Sequence, residues 1–97
     1  MKDNKNIVEL SKKLTFEGKE YTEVDLSALD ELTTADLIQA QKMLTRMGGV
    51  ASVLETDYQY TMIIAHIATK LPLEFFEQLP AKDGVKIKNR VSGSFFA

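Results

Sequence analysis

Between Asp57 and Pro72 lies a segment that a small fold cannot leave on its surface. Tyr60, Ile63, Ile64, Ile67 and Leu71 recur at helical spacing, and Ala65 and Ala68 widen the stripe until most of the circumference is apolar. A helix of that kind belongs at the centre of a core, and the rest of a 97-residue chain must be arranged to cover it. Asp57 is placed to cap its start and Pro72 to end it. Pro72, with its fixed φ, can also open a short segment over 73–78 before Pro80 punctuates again.

The covering elements are legible on both sides. Over residues 7–16 the apolar positions are Val8, Leu10, Leu14 and Phe16, with Lys12 breaking the alternation, and a period of two predicts a half-buried strand. Glu17-Gly18-Lys19 supplies a glycine able to take positive φ, after which Tyr21, Val24 and Leu26 begin a second strand-like run. The simplest reading is a β-hairpin over 7–26 with a turn of three or four residues. Residues 27–32 can form one helical turn capped by Ser27. Thr33 then precedes Asp36 by three residues, a variant of the capping box. Behind it Leu37, Ala40, Leu44 and Met47 fall on one helical face, and Gly48-Gly49 stops the helix.

Residues 50–55 carry no clear period. From 81 to 96, Ile87, Val91 and Phe95 predict a last helix, weakened by Gly84 and Gly93 at about 1 kcal/mol each relative to alanine. The expected class is α+β, mostly α: an N-terminal β-hairpin followed by a cluster of three to four short helices over 27–96. It forms one domain across 1–97, with 1–6 and 97 as loose ends. The predicted core holds Leu37, Leu44, Ile63, Ile64, Ile67 and Leu71.

Chemistry is sparse. The absence of cysteine excludes disulfides, thiolate zinc sites and Cys nucleophiles. One histidine, His66, excludes a multi-histidine metal site and leaves a Ser-His-Asp triad only formally open. On so apolar a helix it reads as an edge histidine bonded to backbone or solvent, not as a general base. Glu74 and Glu77 could pair as hydrolase carboxylates do, but read as a solvated helix face. Gly48-Gly49 lacks the lysine and hydroxyl of a P-loop and follows a helix, not a strand. No catalytic residue, cofactor or metal is expected, and no enzymatic activity.

Twelve Lys and Arg against fourteen Asp and Glu leave a net charge of -2, which excludes a general polyanion binder. The longest apolar run is Met62-Ile63-Ile64-Ala65, far short of the roughly 20 residues of a membrane span, and the N-terminus has no signal-like apolar stretch. A cytosolic protein without a membrane partner is expected.

Surface features suggest partners instead. Residues 15–36 hold seven acids against one lysine, whereas 82–97 hold four cations against one acid. That asymmetry suits either an internal match or head-to-tail association of copies, with Glu23, Asp25, Asp30 and Glu31 on one side and Lys86, Lys88 and Arg90 on the other. The same three cations beside Phe95 and Phe96 are the only nucleic-acid-like feature. They support a rival reading as a small nucleic-acid-binding or regulatory protein, against which the overall acidity weighs. Phe75-Phe76 and Phe95-Phe96 are adjacent pairs, and neighbours on a helix are about 100° apart. At least one of each pair should be exposed or covered by a partner, which with Leu79 makes an interaction surface.

The segments LDELTTADLIQAQKML and DYQYTMIIAHIATKLPLEFFEQLPAKD, and a basic helix ending VSGSFF, resemble the small tail assembly proteins of long-tailed bacteriophages. In that family an acidic strand and "LT..D" lead into a helix. A linker, an alanine-rich helix with an early tyrosine, an "LP..D" corner and a final helix ending in paired apolar residues follow. The resemblance covers 21–96 and departs at Gly84, where the family tends to carry a bulky apolar residue, and at Gly93.

It implies a non-enzymatic tail assembly chaperone, made in the cytoplasm of the infected or lysogenic bacterial host and absent from the mature virion. Such a protein coats and solubilises the tape-measure protein and gives way as tail-tube subunits polymerise. Its partners would be the tape-measure protein, the tail-tube protein and further copies of itself. On that reading Phe75, Phe76, Leu79, Phe95 and Phe96 are the candidate client-binding residues.

Overall fold

The structure, a computed structural model, describes residues 6–49, 54 and 57–95. Strands β1 (Ile7–Phe16) and β2 (Lys19–Asp25) pair antiparallel as a two-stranded sheet. A 3-10 turn (Ser27–Glu31) leads to α1 (Thr34–Arg46), then α2 (Tyr58–Thr69), α3 (Leu73–Glu77) and α4 (Ala81–Phe95). The expected hairpin followed by a helical cluster is what the chain forms. The unassigned stretch 50–55 lies outside the described residues, Leu54 excepted.

The hairpin turn is Glu17-Gly18 alone, closing on the pair Phe16–Lys19. Both turn residues have positive φ, 50° and 81°. Two such residues in succession make the primed turn whose twist matches the flanking strands, so the longer turn expected above is corrected. Further along, Val8 pairs with Val24 and Glu9 with Glu23, but the register slips before Leu14 meets Tyr21. Residues 10–13 of β1 stand against Thr22 alone, a bulge that turns Lys12 outward and explains the break in alternation.

The 3-10 turn is not capped by Ser27. Ser27 donates instead, through its N–H (2.9 Å) and its hydroxyl (2.6 Å), to the Asp25 carboxylate. These bonds, the hydroxyl's first, hold Asp25 below the ordinary carboxylate range. The capping box of α1 forms as expected: Asp36 N–H donates to Thr33 Oγ1 (3.4 Å) and Thr33 N–H to Asp36 Oδ2 (2.9 Å). At the other end Gly48 takes φ 81°, its N–H donates to Thr45 O, and Gly49 N–H donates to Leu44 O. That is a Schellman closure. The two glycines serve differently, because a Cβ on Gly49 would collide with the Leu44 side chain.

Helix α2 starts where Asp57 accepts from Tyr60 N–H at 2.8 Å. It ends at Thr69, before Pro72, because Lys70 turns left-handed (φ 65°) and donates its N–H to His66 O. Pro72 is the N-cap of α3. Helix α2 packs against α1, α3, α4 and the 3-10 turn, the central place its composition demanded. Ile63, Ile64, Leu44 and Ala40 are buried, but Leu37, Ile67 and Leu71 are only half-buried. Leu71 lies past the helix end, and Tyr60, Ala65 and Ala68 fill the core-facing arc in its place.

Helix α4 runs unbroken through Gly84 and Gly93, burying Ile87 and Val91. Its first turn also fastens the hairpin. Asp83 is fully buried and accepts from Ser11 N–H and Ser11 Oγ, both at 2.9 Å. Lys86 donates to the Glu9 carbonyl at 3.0 Å and lies 3.7 Å from the Asp83 carboxylate. Two side chains of α4 thus satisfy the bulged edge of β1 as a third strand would. Among the described residues no helix is long and apolar enough to cross a membrane.

Candidate functional site

Phe75 and Phe76 are both core. They are 0% and 3% exposed, which corrects the expectation that one of them faces outward. The Phe75 ring meets Phe16 (5.6 Å), Tyr21 (4.7 Å) and Phe76 (5.1 Å) edge-on. The angular argument fails because α3 is a single turn wedged between layers. The hairpin aromatics cover one of its faces and α2 lies against it, so adjacent residues can both be buried. Leu79 and Phe95 are half-buried against the same core, Phe95 stacking on Tyr60 at 6.3 Å. Phe96 lies outside the described residues.

Exposed apolar surface occurs elsewhere. Met47 and Tyr58, 43% and 52% exposed, line an open notch of about 260 Å³ with Gln59, Met62, Leu73 and Glu77. Three element ends build it. The Schellman closure places Met47 at the end of α1, the Asp57 cap starts α2 at Tyr58, and Pro72 starts α3 at Leu73. Lys88 of α4 stands with Nζ 5.0 Å from the Tyr58 ring centroid, a cation–π contact that steadies the ring.

The notch is smaller than the roughly 300–1,000 Å³ pockets that enclose small-molecule ligands. Its two flexible thioethers and one aromatic suit it to apolar side chains of varied shape. Sequence reasoning missed Tyr58, Met62 and Leu73, whose types and spacing are those of core residues. Only the position of Tyr58, directly after a cap, hinted at exposure.

The cations divide. Lys86 and Arg90 share one face of α4 and line a polar groove with Asn6, Asp30, Asn89, Gly93 and Ser94, whereas Lys88 leaves for Tyr58. Asp30, which accepts from the Asn6 amide at 3.5 Å, lines the same groove as Lys86 and Arg90, while Lys86 itself lies 3.7 Å from the Asp83 carboxylate. Glu23 and Glu31 remain exposed, Glu23 directly opposite Glu9 on the hairpin.

His66 Nδ1 lies 2.6 Å from Leu71 O. A carbonyl only accepts, so this nitrogen carries the hydrogen, and the imidazole closes the chain after α2. Glu74 and Glu77 are exposed. Among the described residues no group of three His, Asp or Glu is placed to hold a metal.

A family model described as phage tail assembly chaperone proteins, E, or 41 or 14, matches residues 7–95. No curated protein and no solved structure matches.

Proposed function

The chain belongs to the phage tail assembly chaperone family, and from that premise we propose that it binds the tail's tape-measure protein and keeps it soluble during tail morphogenesis. The observation that carries this reading is the extent of the match, from the first strand to the last helix. The role is a non-enzymatic one, in the cytoplasm of the infected or lysogenic host, with the chaperone left out of the finished virion. Copies associate through Glu23, Asp25, Asp30 and Glu31 of one molecule and Lys86 and Arg90 of the next, Lys88 being taken up at the Tyr58 ring, and polymerising tail-tube protein displaces them.

The client surface is assigned to the Met47–Tyr58–Met62–Leu73 notch, with half-buried Leu79 and Phe95 as secondary candidates. Burying a leucine or phenylalanine is worth about 1.5–3 kcal/mol, and association itself costs about 4–15 kcal/mol. One notch therefore holds weakly, and a long client is retained by many copies at once. Weak, multiple contacts let the client be released to the growing tube.

Co-expression with the tape-measure protein tests the reading. The wild-type chain should raise the soluble fraction of the client and co-purify with it. A Met47→Ser, Tyr58→Ser variant should keep its circular dichroism spectrum and lose both effects. A tape-measure protein equally soluble with and without the chain would overturn the proposed function.

A further inference from the structure

The notch does not have a uniform rim. Glu77 lines it from α3, exposed and carrying one negative charge, while Lys88 of α4 stands outside the lining with Nζ 5.0 Å from the centroid of the Tyr58 ring that forms one wall. Gln59, from α2, is the neutral polar member of the lining. The apolar lining thus carries a cation at its tyrosine and an anion at its α3 end.

The lining has a second property. Side chains from three helices form it, and the backbone groups nearest Met47 are already bonded in the Schellman closure, with Gly48 N–H to Thr45 O and Gly49 N–H to Leu44 O. Among the described residues no strand edge borders the notch, so an extended segment pressed into it would find no backbone partner there for its own N–H and C=O groups. A helix brings its backbone bonds with it.

Resting on the chaperone reading above, we propose that the notch selects an amphipathic helix of mixed charge. Its apolar stripe enters between Met47, Tyr58, Met62 and Leu73, an acidic residue on one flank meets Lys88, and a basic residue on the other meets Glu77. Reversing the helix exchanges its flanks, so these two contacts also fix the direction in which the client lies. Tyr58, already held flat by Lys88, is the rigid anchor, because little of its freedom remains to be lost on binding.

Three synthetic helical peptides of about 18 residues, long enough to form turns in water, test this. They share one leucine and phenylalanine stripe and carry flanks of glutamate on both sides, lysine on both sides, or one of each. Fluorescence titration of the full chain in low-salt buffer should show the mixed peptide binding about two- to five-fold more tightly than either uniform one, the range exposed ion pairs provide. Lys88→Glu should move the preference to the lysine-flanked peptide and Glu77→Lys to the glutamate-flanked one. Neither substitution touches the buried core.

If all three peptides bind alike in every variant, the charge selection is wrong while the notch as client site stands. If none binds the wild-type chain although it solubilises tape-measure protein, the notch is not the docking surface and the inference falls with it. Loss of solubilisation in the wild-type chain removes the functional reading itself.

Discussion

Asp83→Ala tests how the hairpin is held. The carboxylate is fully buried, 72 residues from Ser11 along the chain, and accepts two bonds from it at 2.9 Å. Hydrogen bonds to a charged group contribute about 1.5–3 kcal/mol each. Ser11 is exposed, so water can reach its donors once the carboxylate is gone, which holds the sum toward the lower end. The half-exposed Lys86 pair at 3.7 Å adds little. A loss of about 2–4 kcal/mol is expected, a large part of the roughly 5–15 kcal/mol of a small domain.

Asp83→Asn should cost about 1 kcal/mol, because the amide oxygen still accepts from Ser11 N–H and the hydroxyl can rotate to accept from the amide nitrogen. Urea unfolding followed by circular dichroism reads these differences directly. With a slope of about 1–3 kcal/mol/M, the alanine variant should unfold about 1–2 M earlier than wild type. A double-mutant cycle with Ser11→Ala isolates the shared part, expected at about 1–2 kcal/mol. An alanine variant within about 0.5 kcal/mol of wild type, or zero coupling in the cycle, would show that the bulge is not fastened at α4.

Three further perturbations follow from the same structure. Gly84→Ala and Gly93→Ala meet nothing within 4 Å of the added Cβ, so each should raise stability by about 0.4–1 kcal/mol; a lowered melting temperature would refute the packing of α4. Phe76→Ala, in a fully packed site, should cost about 3–5 kcal/mol in denaturant unfolding, and an unchanged midpoint would return that ring to the surface. Asp25 titrates below its ordinary 3.8 when folded, so its contribution to stability is complete above that value and is lost as pH falls through the lower, folded one. Ser27→Ala should move the Asp25 titration upward by NMR, and an unmoved curve would mean the Ser27 bonds are not the cause.

Local codes were readable in the sequence, and contacts between layers were not. The Thr33–Asp36 box and the Gly48-Gly49 stop are each written within four residues, and both formed as read. The centrality of α2 followed from composition alone. The Glu17-Gly18 turn was misjudged because nothing marks glutamate as the second positive-φ residue. Lys12 signalled an irregular strand, but its partner helix lies at the far end of the chain. Phe75-Phe76 failed for a different reason. The 100° rule holds for a helix against one surface, and a one-turn helix between two layers escapes it. The notch was hidden because residues at element ends carry the same apolar types as the core.

Helix α3 joins these observations, and the connection can be tested. Its five residues carry Leu73 and Glu77 into the notch and Phe75 and Phe76 into the core, so the notch wall and the hairpin contact are one rigid piece. Tyr21, on β2, touches Phe75 at 4.7 Å and lies outside the notch lining. Edge-on aromatic pairs are worth about 0.5–1.5 kcal/mol beyond their burial, so Tyr21→Ala should loosen α3 without unfolding the chain. The variant should bind the mixed-charge peptide more weakly than wild type at a temperature where both are fully folded by circular dichroism. Amide exchange should rise in α3 and β2 and stay low in α2, whose core contacts are untouched. If exchange in α3 rises while peptide affinity is unchanged, the Leu73 and Glu77 wall does not depend on the hairpin. The client site would then be set by α1 and α2 alone, through Met47, Tyr58 and Met62.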